Sequence, residues 1–172
     1  MVGFRGTSFK RGLSMRIASL GLALTASALL SCNALAAAAA WHIDTLPDDA
    51  PITKQSGCMM SMGPKGPNSF KTVFLDDGVD VKAVANIKLS GKIFVLNLVS
   101  EKTSGKQGQD SSGVGTHYER VFKDKTGAVA VTSSLNVTAE HPDADSTEMA
   151  GTLSVTYQGT TQKIAIEGGI AC

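Results

Sequence analysis

The sequence predicts an all-β domain, a single antiparallel sandwich or small barrel of about seven strands, preceded by a signal peptide. Three observations carry this reading. Successive segments after residue 70 alternate apolar and polar residues, which is the period of a strand with one buried face. Short turns containing glycine, aspartate or serine join them. No part of the chain beyond the leader shows a convincing helical period, and no internal repeat points to a solenoid.

Residues 1–40 read as processing information. Arg5, Lys10, Arg11 and Arg16 form a basic start without an acidic residue, and Met15 offers an alternative start inside it. Ser19 to Leu30 is an uncharged apolar run of roughly a dozen residues, the length of a signal peptide and short of the ~20 needed to cross a bilayer. Two processing routes stay open. Ala34-Leu35-Ala36 and the following alanines form a small-x-small cleavage site, which leaves Trp41 near the new N-terminus. Leu29-Leu30-Ser31-Cys32 resembles a bacterial lipobox, which implies lipidation at Cys32. The expected location is periplasmic or secreted, with a lipid anchor on the bacterial envelope as the alternative.

The whole chain carries 16 basic and 15 acidic residues, for +1. Losing the four basic residues of the leader leaves 12 against 15, or −3. No basic run interleaved with aromatics survives, so nucleic-acid binding has no electrostatic basis. About 130 residues remain, enough for one domain that buries roughly two-thirds of its unfolded surface. An oxidising compartment makes Cys58 and Cys172 a disulfide pair. The expected organisation is a lead-in and loop over 41–69, then a β-domain over 70–172 closed by that disulfide.

Along the chain, Trp41 to Lys54 holds Pro47 and Pro51 and reads as extended, and Gly57 to Asn68 reads as a loop anchored by Cys58. Phe70 to Leu75 reads as a short strand ended by Asp76-Asp77-Gly78. Val79 to Leu89 alternates, with Val81, Ala83, Ala85, Ile87 and Leu89 on one face. Ser90-Gly91 turns it into Ile93 to Val99, apolar at nearly every position and therefore central. Glu101 to Thr116 is the longest loop by composition. His117 to Lys123 places Tyr118, Arg120 and Phe122 on one side. After the turn at Asp124 to Gly127, Ala128 to Thr138 is a strand, and Glu140 to Glu148 is an acidic loop. Thr152 to Tyr157 and Thr160 onward form a final hairpin around Gln158-Gly159. The expected core is Val81, Ile87, Phe94, Leu96, Val129, Val131, Leu135, Leu153, Val155, Ile164 and Ile166.

Candidate sites are sparse. Met59, Met60 and Met62 beside Cys58 supply soft ligands that suit Cu(I), whereas a Cys58 held in a disulfide leaves the methionines as packing. Asp143, Asp145 and Glu148 offer oxygen ligands for a cation but lack the glycine and length of an EF-hand loop. His42, His117 and His141 are scattered, and no nucleophile–base or phosphate-loop motif is present, so catalysis and a cofactor are not expected. Asn136-Val137-Thr138 fits a glycosylation sequon, which the bacterial origin implied by the lipobox resemblance would empty of meaning.

The stretch Ser112-Gly113-Val114-Gly115-Thr116-His117-Tyr118, followed by Phe122 and Lys125-Thr126-Gly127, resembles the Ser-Gly-x-x-Tyr loop and aromatic-x-Lys-Gly turn of the membrane-bound and periplasmic inhibitors of C-type lysozyme. Those inhibitors are small β-barrels that plug the lysozyme cleft. The resemblance implies contacts by Ser112, Gly113, Tyr118 and Lys125. Here the Ser-Gly to Tyr spacing is longer by two residues and Thr126 interrupts Lys-Gly. The sequence thus points to a non-catalytic exported envelope protein that binds an unidentified protein or envelope ligand through the Glu101–Thr116 loop, with lysozyme inhibition and copper carriage as alternatives.

Overall fold

The computed structural model describes residues 40–54, 57–78, 82–105 and 113–172. The leader, Cys32, Val81 and Ser112 lie outside the described residues. Among the described residues nine strands run in chain order: β1 Ile43–Asp44, β2 Met59–Pro64, β3 Phe74–Asp76, β4 Val84–Leu89, β5 Lys92–Ser104, β6 His117–Asp124, β7 Val129–His141, β8 Ser146–Tyr157 and β9 Thr160–Ala171. No α-helix occurs among the described residues; 3-10 turns cover Pro51–Lys54 and Pro142–Ala144.

From β2 to β9 each strand pairs antiparallel with the next, and β9 returns to pair with β2. The result is a closed eight-stranded up-and-down barrel. β1 is an extra strand that continues the line of β3 along β4, pairing Ile43 with Leu89. Closure abolishes the free edges that an open meander would expose.

The hairpin turns follow from local chemistry. Ser90-Gly91 has φ of 46° and 84°, and Gln158-Gly159 has 50° and 75°. Two successive left-handed residues make the tight turn whose twist matches the flanking strands, and glycine takes the second place without strain. In the β6–β7 turn, Asp124 accepts from the backbone N–H groups of Thr126 (3.2 Å) and Val129 (2.8 Å).

Side chains fill the barrel. Met62, Phe74, Ile87, Leu96, Phe122, Val131, Leu153, Val155 and Ile166 are fully buried, with Phe74 edge-on to Phe122 at 5.5 Å. An eight-stranded barrel is just wide enough for this interior. Of the expected core, Val81 lies outside the described residues, Ile164 in the first half of β9 is half-buried against the cluster, and the rest are buried.

One end is shut by the N-terminal residues. Trp41 packs edge-on to Tyr157 at 6.0 Å, and Phe94 meets the same ring at 5.3 Å. The Trp41 indole N–H donates to Thr160 Oγ1 at 2.6 Å, and Gln162 Nε2 donates to the Trp41 carbonyl at 2.6 Å. From there the chain crosses the outer wall, where Leu46, Ala50 and Ile52 bury Leu75 and pack on Val84 and Ile93. The side chain of Asn86, fully buried on that wall, accepts from the Ile52 N–H at 3.0 Å and so pins the segment. We call this the turn end, because the β4–β5, β6–β7 and β8–β9 turns lie there. The opposite end, the rim, carries the connections 77–83, 105–116 and 142–145.

Three expectations change. Residues 41–69 are not merely a lead-in and loop, since Met59–Pro64 forms a barrel strand. Its methionines, glycine and proline have low strand preference, but β3 and β9 bond it from both sides, and such context overrides propensity. Phe70 to Val73 is turn rather than strand, with Ser69 N–H donating to Gly66 and Lys71 N–H to Asn68. The loops expected over 101–116 and 140–148 are shorter, because β5 and β7 run on to Ser104 and His141 as polar strands.

The seam between β2 and β9 depends on Gly168 and Gly169. A Cβ on Gly168 would lie 2.0 Å from the Ser61 carbonyl oxygen of β2, and one on Gly169 would lie 2.3 Å from that of Thr147 in β8. Cys58, just before β2, and Cys172, just after β9, form a disulfide that staples the same seam. Replacing both cysteines by serine should lower the unfolding free energy by about 4–5 kcal/mol on the chain-entropy model, measured by urea titration. An unchanged midpoint would mean that strand pairing alone holds the seam. Leu96→Ala should cost about 2–5 kcal/mol in the same titration, through lost burial and a cavity.

Candidate functional site

The interior is apolar until it nears the rim, where it holds a charge cluster. Tyr118, Arg120 and Phe122 follow one another on the inner face of β6. Asp76, at the end of β3, is fully buried, and Arg120 is 2 % exposed. Arg120 Nη1 donates to Asp76 Oδ2. Its guanidinium also lies over the Phe122 ring, 5.2 Å from the centroid.

A β-bulge supplies the third charge. The β5–β6 register shifts between Leu98 and Ser100. Before the shift, Phe94 and Leu96 face inward; after it, Glu101 sits opposite Arg120 and turns to the same face. Glu101 Oε2 lies 2.9 Å from Arg120 Nε, within ion-pair range, although Nε has no aligned hydrogen bond. Ser133, opposite Arg120 on β7, is fully buried, and its hydroxyl has no hydrogen-bond partner.

Met60, Gly78, Glu101, Tyr118, Arg120, Met149 and Ile170 line a half-open pocket of about 100 Å³. This has room for a few waters or one small polar group, with a permanent cation in its wall. Burial raises the Tyr118 phenol above its usual range, and the carboxylates of Glu101 and Glu140 add to that rise. Burial likewise pushes the Asp76 carboxyl up to about 6, against the opposing pull of Arg120 and of a hydrogen bond from the Gly78 N–H.

The residues implied by the lysozyme-inhibitor resemblance do not gather in one place. Gly113 and Tyr118 lie at the rim, and Gly113 approaches the Glu140 carboxylate. Lys125 sits in the β6–β7 turn at the opposite end, roughly 23 Å along the strand from Tyr118 at 3.3 Å per residue. The three methionines also separate. Met60 and Met62 point into the barrel, whereas Met59 faces outward and lines a cleft of about 520 Å³ with Leu46, Pro47, Phe70 and Leu75. Strand alternation therefore keeps their three sulfurs from converging on one ion. Asp143 lies in a 3-10 turn, and no group of three or more His, Cys, Asp or Glu that could hold a metal ion occurs among the described residues.

Two features escape the sequence reading. Phe70 is 77 % exposed and borders both that outer cleft and a second one lined by Glu148 and Glu167. On the outer wall, His117 Nδ1 lies 3.0 Å from Asn136 Oδ1, and His117 Nε2 lies 3.4 Å from Ser134 Oγ. The order resembles a nucleophile, base and orienting group. These side chains stand on a strand pair whose backbone N–H groups serve the ladder, which leaves no oxyanion hole beside the serine.

The raised Asp76 pKa has a definite sign in stability. Between about pH 4 and pH 6 the folded state binds more protons than the unfolded state, so stability falls as pH rises through that window. The expected loss is on the order of 3 kcal/mol, absent in Asp76→Asn, when unfolding free energy is followed by urea titration at stepped pH. A wild-type stability that rose across the same window would mean that the Arg120 charge outweighs burial.

No protein-family model, curated protein or solved structure matches the chain, so the rim cluster stands on its own geometry.

Proposed function

We propose that this chain is a non-catalytic exported protein of a bacterial envelope, and that it binds a partner through the rim of its barrel. The observation that supports this reading is the contrast between the two ends. The turn end is closed by Trp41, Phe94 and Tyr157. The rim opens onto a buried arginine, with Tyr118, Glu101 and Glu140 around it and the longer connections above. A rigid cross-linked wall with variable connections at one end is a common way to carry a binding surface. The filled interior favours a macromolecular partner over a ligand swallowed by the barrel.

The lysozyme-inhibitor reading is a sharper form of the same proposal. It is favoured by Gly113 and Tyr118 sharing the rim, and it would require a basic residue other than Lys125 to reach the lysozyme carboxylates. Arg120 is too deeply buried for that role, and Lys102 on β5 is the exposed alternative. Copper carriage has no comparable support, because the methionines divide between the inside and the outside of the wall.

Photo-crosslinking amino acids placed at Tyr118 and Glu140, and separately at Ser90 and Lys125, test the choice of end in living cells. Rim positions should give a discrete crosslinked product; products from the turn end alone would overturn the rim reading. In parallel, the protein is titrated into C-type lysozyme acting on cell walls. Inhibition that disappears in Tyr118→Ala and persists in Lys125→Ala would identify the partner, and the reverse pattern would place the contact at the wrong end for this proposal.

A further inference from the structure

The turn end carries a charge pattern that rim binding does not use. Lys88 and Lys92 flank the β4–β5 turn, Lys123 and Lys125 flank Asp124 at the β6–β7 turn, and Lys163 follows the β8–β9 turn. Lys88 is half-buried and the other four are exposed. None of the five lies within ion-pair distance of a carboxylate among the described residues; the lysine that does is Lys102, beside Glu119. The neighbouring acids are engaged otherwise. Asp44 accepts from the Gly91 N–H at 2.6 Å and lies 2.9 Å from His42, and Asp124 is bonded within its own turn. Acidic side chains gather toward the rim instead, at Glu101, Glu119, Glu140, Asp143, Asp145 and Glu148. The barrel is therefore polarised along its axis, basic at the closed end and acidic at the open one.

We propose that the lysine end lies against an anionic lipid bilayer, with the acidic rim turned away from it. Several observations favour a bilayer over another polyanion. The cations are lysines on flexible stems, spread over tight turns, with no arginine fork to hold one phosphate in fixed geometry. Such an array suits a fluid layer of headgroup phosphates. The aromatic rings at this end are packed against one another, with Trp41 and Phe94 buried, which leaves no platform on which bases could stack. The chain also enters the barrel here, since Trp41 is fastened to Thr160 and Gln162. A lipid on the preceding residues would thus tether the end that the lysines already favour, and one acyl chain with a basic patch makes a stable two-part anchor. Negative charge on the rim opposes the inverted orientation.

The experiment is vesicle flotation of the protein as it accumulates in cells. One set of vesicles is phosphatidylcholine alone, and the other contains about one-third phosphatidylglycerol. The comparison variant is Lys92→Gln, Lys123→Gln, Lys125→Gln and Lys163→Gln together; the control is Lys82→Gln with Lys102→Gln. All six side chains are exposed, so the variants should melt like the parent. Each lysine near an anionic surface contributes roughly fivefold in partition, so the quadruple variant should lose about 10²–10³-fold on the anionic vesicles. The control should lose less than about tenfold, and binding should fall steeply with added salt. Equal flotation on both vesicle types, or anionic binding unchanged in the quadruple variant, would overturn the proposal. So would failure to float alongside lysine-dependent binding to duplex DNA in the same buffer. None of these outcomes depends on the rim, so the two proposals fail separately.

Discussion

Everything in this molecule depends on the pairing of β2 with β9. Eight strands joined in sequence make a ribbon with two raw edges, and this one contact turns the ribbon into a tube. The pairing is demanding because β2 is a poor strand by composition and β9 must fit closely against both β2 and β8. Consecutive glycines at 168 and 169 let the backbones of β2 and β8 approach where any side chain would collide. The Cys58–Cys172 bond then fixes the ends of the two strands together. Given closure, the remaining features follow: an interior that must be filled, one end plugged by Trp41, and one near which the buried charges gather.

The buried charges near the rim are the costliest element of the interior. A guanidinium taken out of water loses hydration that a carboxylate and a ring face only partly replace. A methionine or leucine at position 120 would satisfy packing with less conflict. The β5 bulge is a second departure from regularity, and its visible effect is to aim Glu101 at the same arginine. Two independent irregularities meet at one side chain here, whereas the other register shift in the wall, between Val137 and Ala139 of β7, aims no charge inward. Local rules broken together are where function or specificity is most often found.

Fold class, both two-residue turns and nearly all of the core were legible because they rest on near-neighbour pattern. Val131 and Leu153 announce themselves by alternation alone; the unbroken apolar run around Leu96 suggested cover on both faces, yet Val95 and Val99 stand exposed on the outer wall, because a barrel strand buries one face only. The second strand was not legible: methionine, glycine and proline signal a loop, and what makes Met59–Pro64 a strand is a partner more than 100 residues away. Closure into a barrel rather than a sandwich was hidden for the same reason. At the candidate site, Arg120 stood in plain view between Tyr118 and Phe122, a charge on an otherwise apolar face. Asp76 read as the start of a turn, and Glu101 read as loop, because a bulge that flips a strand face leaves no mark in composition. The opposition of Lys125 to Tyr118 could have been inferred once β6 was given its length, since a strand carries its two ends to opposite poles.

The order of the strands also sets the order in which the chain can complete itself. The hairpins from β4 to β9 join neighbours in sequence and can zip up as soon as each turn exists. The seam joins residues such as Met60 and Ile170, and its loop-closure entropy must be met before its contacts stabilise anything. Until β9 has paired, β8 presents a long unpaired edge rich in threonine and serine. Such an edge is a template for another copy of the same chain. A molecule of this topology is thus most vulnerable to self-association in the interval before β9 docks, when every hairpin but the last has formed and the tube is not yet closed.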